Sequence, residues 1–134
     1  MRRFTRLLCA AVMPSMVIAC LAGRTAKSSA PQYDRGTITD VLGIVSEVRD
    51  NDTGTLPGLH LIIRTDRKRD VDVYVGPDTF VKDFSLSFAR GERVQAIGSK
   101  IRCENGEVVL ARELRRHDIT VYVRDPDGNP IWHP

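Results

Sequence analysis

No Asp or Glu precedes Asp34, so the first quarter of the chain carries no negative side chain at all. Cysteine is scarce: Cys9, Cys20 and Cys103 are the only ones, and two of them fall in an apolar leader. That excludes a small domain held together by disulfides. There is no C-x-x-C or H-x-x-x-H spacing, no G-x-S-x-G elbow and no glycine-rich phosphate loop, because Gly76, Gly91, Gly98 and Gly106 stand singly in turns. Zinc ribbons, helical metalloprotease sites, serine-hydrolase elbows and P-loops are thereby excluded. Aromatics make up 6%, a thin supply for base stacking. Excess charge is lacking too. The formal +3 comes from Arg2, Arg3 and Arg6, and without them 17 basic residues face 17 acidic ones. Such a chain lacks the electrostatic attraction that drives non-specific nucleic-acid binding. What is present is 42% apolar content in 134 residues, enough for one folded domain.

The arginines of residues 1–6 are followed by an apolar stretch to Ala22 that Pro14 interrupts. A basic n-region before a short apolar run describes an export signal. The stretch is short for a spanning helix, and a mid-helix proline weakens it further, although an uncleaved anchor is the alternative. Val17-Ile18-Ala19-Cys20 resembles the lipobox of bacterial lipoproteins, which implies cleavage before Cys20 and its lipidation. Ordinary signal-peptidase cleavage after Ala22 competes with this reading. Leu21, in place of Asp, resembles cargo sent on to the outer membrane of a double-membraned bacterium. The expected organisation is a signal peptide over 1–19, a small and polar tether over 20–34 containing Pro31, and a domain over 35–134. The expected location is the periplasmic side of the envelope, with the membrane reached through the lipid.

In the domain, apolar residues recur with period two rather than 3.6. Strands are predicted over 37–49, 59–65, 70–76, 93–99, 107–115 and 119–124. Gly43 lies inside the long first strand, where a glycine lets a strand bulge and serve two sides of a structure. Alternation sends Leu59, Leu61, Ile63, Val71, Val73 and Val75 inward, and His60, Ile62, Arg64, Asp72 and Tyr74 outward. Residues 50–58 and 66–69 read as turn-forming loops. Asn105-Gly106 signals a tight hairpin. Between the third and fourth strands, Phe80, Phe84 and Phe88 recur every fourth residue. This predicts a short helix that plugs the sheet with Phe84 buried at its centre.

Three strands, a helical plug and two further strands, with a sixth appended, is the order of an OB-fold barrel; an incomplete sandwich is the rival all-β arrangement. The runs Val75-Gly76-Pro77, Phe88-Ala89-Arg90-Gly91-Glu92-Arg93-Val94 and Ile97-Gly98-Ser99 resemble small exported bacterial OB-fold proteins. So do Leu110-Ala111-Arg112-Glu113 and Val123-Arg124-Asp125 with Gly128, Pro130 and Trp132. Some relatives in that group are associated with magnetosomes. The resemblance implies the fold and leaves the function open.

His60, His117 and His133 are too far apart in sequence to signal a ligand set, and Asp50, Asp52 and Thr53 read as turn residues rather than a calcium loop. No metal, no cofactor and no catalytic residue is therefore expected. Cys103 reads as a buried or half-buried thiol. The leading expectation is a non-enzymatic binding or adaptor module of the cell envelope. Its contacts would come from His60, Ile62, Arg64, Asp72 and Tyr74, with Ile62 and Tyr74 forming an exposed patch and an envelope protein or a small ligand as partner. Alternatively, the tether or residues 119–132 cover that patch. Two other classes compete: an accessory domain for redox or metal handling using His60, His117 or Cys103, and a weak nucleic-acid or polyanion binder using Arg64, Arg67, Lys68 and Arg69. Flanking Asp66, Asp70 and Asp72 make nucleic acid the less favoured partner.

Overall fold

The computed structural model describes residues 31–132. The leader, Cys20 with its lipobox, most of the tether and His133 lie outside the described residues. Among the described residues no helix is long and apolar enough to cross a membrane.

The strands are β1 (Ile38–Asn51), β2 (Gly58–Thr65), β3 (Asp70–Gly76), β4 (Arg93–Cys103), β5 (Gly106–Arg116) and β6 (Ile119–Tyr122), with one short helix, α1 (Asp78–Asp83). β1 pairs antiparallel with both β2 and β4, β2 with β3, and β4 with β5. β3 then closes on β5 in parallel, Val73 opposite Val109. The result is a small all-β barrel with ring order β1-β2-β3-β5-β4, and β6 hangs on β5 outside the ring. This is the closed arrangement expected of an OB-like barrel, with no free edge inside the ring.

The long first strand makes closure possible. Residues 38–44 face β4 and residues 43–51 face β2, with Gly43 paired on both sides. A Cβ on Gly43 would collide with the Arg64 backbone carbonyl, so close approach of the two strands requires glycine there. The register shift itself falls between Val45 and Glu47, past Gly43 rather than at it. In the β4–β5 hairpin the turn residues are Glu104 and Asn105, and of this pair and Gly106 only the glycine is left-handed, at φ 125°. β4 runs on to Cys103, beyond the predicted end at residue 99, because residues 100–103 keep pairing with β5.

Val45, Leu61, Ile63, Val73, Val75 and Val94 are fully enclosed in the barrel, as period-two alternation requires. The expected plug needs correction. Phe80 fills it, 3% exposed, whereas Phe84 is 60% exposed. The spacing of four does bring the two rings together, centroids 4.8 Å apart, but α1 stops at Asp83 and Ser85 takes a left-handed φ of 49°, which leaves Phe84 on the solvent side of Phe80. Trp132 returns from the far end of the described chain to complete the plug, its ring 5.0 Å from that of Phe80. Phe88 is half-buried beneath the guanidinium of Arg116.

Candidate functional site

β2 is buried on both faces from Gly58 through Ile63, which a barrel strand with one side in water would not be. The cover is residues 52–57, the loop between β1 and β2, folded back over the outer wall. His60 holds it. This imidazole is 4% exposed, and both its nitrogens face acceptors: Nδ1 lies 2.8 Å from Asp72 Oδ1 and Nε2 lies 2.8 Å from the Leu56 carbonyl oxygen. Only the doubly protonated ring can donate to both at once. Burial pushes the His60 pKa down, but the bond to Asp72, then the bond to Leu56, outweigh it, and the net displacement is upward. Tyr74 holds the loop at the next residue, its hydroxyl donating to the Pro57 carbonyl oxygen at 2.9 Å. Burial pushes the Tyr74 hydroxyl up to about 12, so it remains a donor.

The five predicted contact residues therefore divide. All five point outward from the barrel, but Ile62 and Tyr74 are 8% and 5% exposed, which corrects the expectation of an open apolar patch. Tyr74 lies in a cluster packed by Tyr33 of the tether and Trp132 of the final turn, as in the covered alternative, and also by Leu56 of the loop, which that alternative did not include. Asp72 is half-buried against His60. Arg64 is exposed and holds Asp70 through two bonds, at 3.0 and 3.3 Å, leaving the basic tip partly neutralised. His117 lies exposed in the β5–β6 turn.

A small cleft of about 90 Å³ opens between the loop and the β4–β5 turn. Thr53 and Thr55 line one side, Cys103, Glu104 and Asn105 the other, and His60 and Asp72 the floor. In OB folds these two loops and the β2–β3 face are the usual binding surface. Burial, then Asp72 and Glu104, push the Cys103 thiol up, which keeps it protonated and a poor nucleophile. At the loop's other end Asp50 and Asp52 meet Asp78 of α1, with ligand oxygens within 4.8 Å of one another. A side-chain hydrogen bond with Asp78, and then the charge of Asp78, raise the Asp50 pKa. The sequence pattern suggested Thr53 as the third member; Asp78 was hidden because the β3–α1 junction joins it only in three dimensions.

Sequence reasoning also passed over Tyr33 and Arg124, which meet Trp132 and Tyr74 on the outer wall. Arg124 is 6% exposed and donates through Nη1 to the Ala111 carbonyl oxygen at 2.6 Å. Burial lowers its pKa to about 10, which still leaves it charged near neutrality. A buried arginine just past a strand end has no signature in a periodicity reading.

No curated protein matches the chain. The model of the MamS/MamX magnetosome protein family matches it over residues 35–121, which spans the barrel from its first turn into β6. On that match, over more than half of its length, the chain belongs to the MamS/MamX magnetosome protein family.

Proposed function

We propose that this magnetosome-family chain is a non-enzymatic binding module, exported and held at the envelope by lipid on Cys20. It grips a partner protein at the mouth between residues 52–57 and the β4–β5 turn. One observation carries the reading: the groups on the outer wall best suited to acid–base chemistry, His60, Asp72 and Tyr74, are spent on holding the loop in shape. A general base needs a free nitrogen or oxygen facing its substrate, and His60 has neither ring nitrogen free. Groups so used build a shaped surface. Small-molecule pockets usually run to several hundred Å³, so a cleft of about 90 Å³ suits one side chain of a partner better than a cofactor. Glu104 at the rim favours a lysine or arginine in that place.

The same features speak against the competing classes. Redox or metal handling through His60 or Cys103 would require breaking the loop's tie or ionising a thiol that its surroundings keep protonated. Polyanion binding finds Tyr74 covered and Arg64 already paired.

The test uses the full-length chain in cells, with a photoreactive residue in place of Asn105. A discrete cross-linked partner is expected, lost with Glu104→Lys and retained with Arg67→Glu at the opposite tip. Cross-linking indifferent to Glu104→Lys would overturn the proposed mouth. Intact-mass measurement tests the anchor separately: acylated Cys20 is expected at the mature N-terminus, and an unmodified Gly23 there would remove the lipid.

A further inference from the structure

On the far side of Tyr74 from His60 lies a second and larger concavity. It is a cleft of about 540 Å³ lined by Tyr33, Leu110, Arg124 and residues 127–130. This volume is within the range of small-ligand pockets. Its unusual feature is an unbalanced charge. Arg124 is more than nine-tenths buried, and no Asp or Glu among the described residues lies within ion-pair distance of it. Asp127, the acid that lines the cleft, pairs with Arg35 at 3.2 Å. Buried charges are ordinarily paired, because removal from water costs several kcal/mol per ion.

The contacts Arg124 does make leave one part of the guanidinium free. Trp132 and Tyr74 lie with ring centroids 4.9 and 5.9 Å from its central carbon. Nη1 is taken by the Ala111 carbonyl. Among the described residues no acceptor meets Nε or Nη2. That pair of N–H groups is the edge through which Arg49 holds Glu47 and Arg64 holds Asp70 elsewhere in the barrel. It matches a carboxylate, two parallel N–H groups to two oxygens.

A second group points the same way. The Tyr33 hydroxyl is the buried side-chain polar atom left without a partner among the described residues. Tyr33 is one of the residues that line the same cleft. Gly128 leaves room for the Tyr33 ring, since a Cβ there would overlap it. Among the described residues, a buried cation lacking an anion and a buried hydroxyl lacking a partner thus belong to residues that line one cavity.

We propose that this cleft is a binding site for a small organic carboxylate. The ligand takes the Nε–Nη2 edge of Arg124, and Tyr33 donates its hydroxyl to a ligand oxygen. The site is independent of the mouth beneath residues 52–57, and its failure would leave the adaptor reading untouched.

Trp132 is the single tryptophan of the chain and stacks on Arg124, so its fluorescence reports the site directly. The full-length protein is titrated with sodium acetate and sodium succinate at constant ionic strength, with chloride as control and phosphate as comparison. A saturable change with the carboxylates is expected, absent with chloride. It should weaken about tenfold or more in Arg124→Gln, the loss of a charge-assisted pair. Tyr33→Phe, which removes one oxygen and keeps the ring, should weaken it severalfold with the melting temperature unchanged. That variant carries the test if Arg124→Gln fails to fold. A response equal in chloride, or one unchanged in Tyr33→Phe and Arg124→Gln, would overturn the site. Phosphate bound as tightly as acetate would overturn the carboxylate assignment.

Discussion

His60, when doubly protonated, and Arg124 are both cations buried on the outside of one barrel wall, on opposite sides of Tyr74. His60 has an anion of the chain's own, Asp72, at 2.8 Å, and a carbonyl on its other nitrogen. Arg124 has a carbonyl and two aromatic faces. The first is a closed account whose charge does internal work, tying residues 52–57 to β2 and β3. The second is held in place by contacts that leave its charge unanswered. The difference separates a structural ion pair from a ligand site by geometry alone.

The comparison breaks most visibly in stability. Asp72→Asn strips the imidazolium of its counter-charge and should cost about 1–2 kcal/mol, less than the usual loss for a fully buried pair because Asp72 is half-buried and the ring can shed its proton. Arg124→Met removes an uncompensated buried cation and leaves a side chain of similar length against Trp132. Lost cation–π and carbonyl contacts then oppose relief of the desolvation cost, so stability should stay within about 1 kcal/mol of wild type. Urea unfolding of both variants, side by side, gives the contrast. Equal losses would mean that Arg124 is a structural cation after all.

Next in size is pH. The folded-state pKa of His60 is raised above its ordinary 6.5, chiefly because the bonds to Asp72 and Leu56 outweigh burial. Its contribution to stability is therefore full below about pH 6.5 and is lost as pH rises through the raised value. Losing one ring proton leaves a lone pair facing an acceptor oxygen, and the tie to Asp72 or to residues 52–57 fails. Unfolding midpoints measured from about pH 5 to about pH 9 should fall across that window in wild type and run flat there in His60→Gln. A wild-type profile as flat as the variant's would show that the ring is neutral in the fold.

The inner side of this wall was legible in the sequence and the outer side only in part. Leu59, Leu61, Ile63, Val73 and Val75 follow strict alternation, and alternation is a local property that any barrel or sandwich must honour. The same alternation put His60, Asp72 and Tyr74 correctly on one outward face. It could not show that the face was covered. The cover comes from Leu56, Tyr33 and Trp132, the last two far away along the chain and none of them in a periodic segment. Phe84 failed for a related reason: a spacing of four brings its ring against Phe80 but does not say which of the two lies deeper, and Trp132 packs on Phe80 from elsewhere in the chain. Trp132 took the place expected of Phe84, and nothing local to residue 132 announces it.

The smallest expected effect asks whether burial or the missing partner makes an unanswered charge costly. Asp50, Asp52 and Asp78 carry like charges close together, and the pKa of Asp50 is raised, first by its contact with Asp78. Unlike Arg124 they have an opposite charge nearby, Lys82 of α1, although it does not outweigh the contact with Asp78, and Asp50 and Asp52 stand in water. A carboxyl whose pKa is raised in the fold is better tolerated protonated, so this cluster opposes folding at neutral pH and less so as the pH falls. Solvent screening keeps that opposition small. Asp50→Asn should accordingly give a slight rise in melting temperature at pH 7, shrinking towards about pH 4 and at about 1 M salt, where the Debye length is near 3 Å. If the gain at pH 7 were as large as the Asp72→Asn loss, absence of a partner would matter more than burial, and the case for a ligand at Arg124 would lose its physical basis.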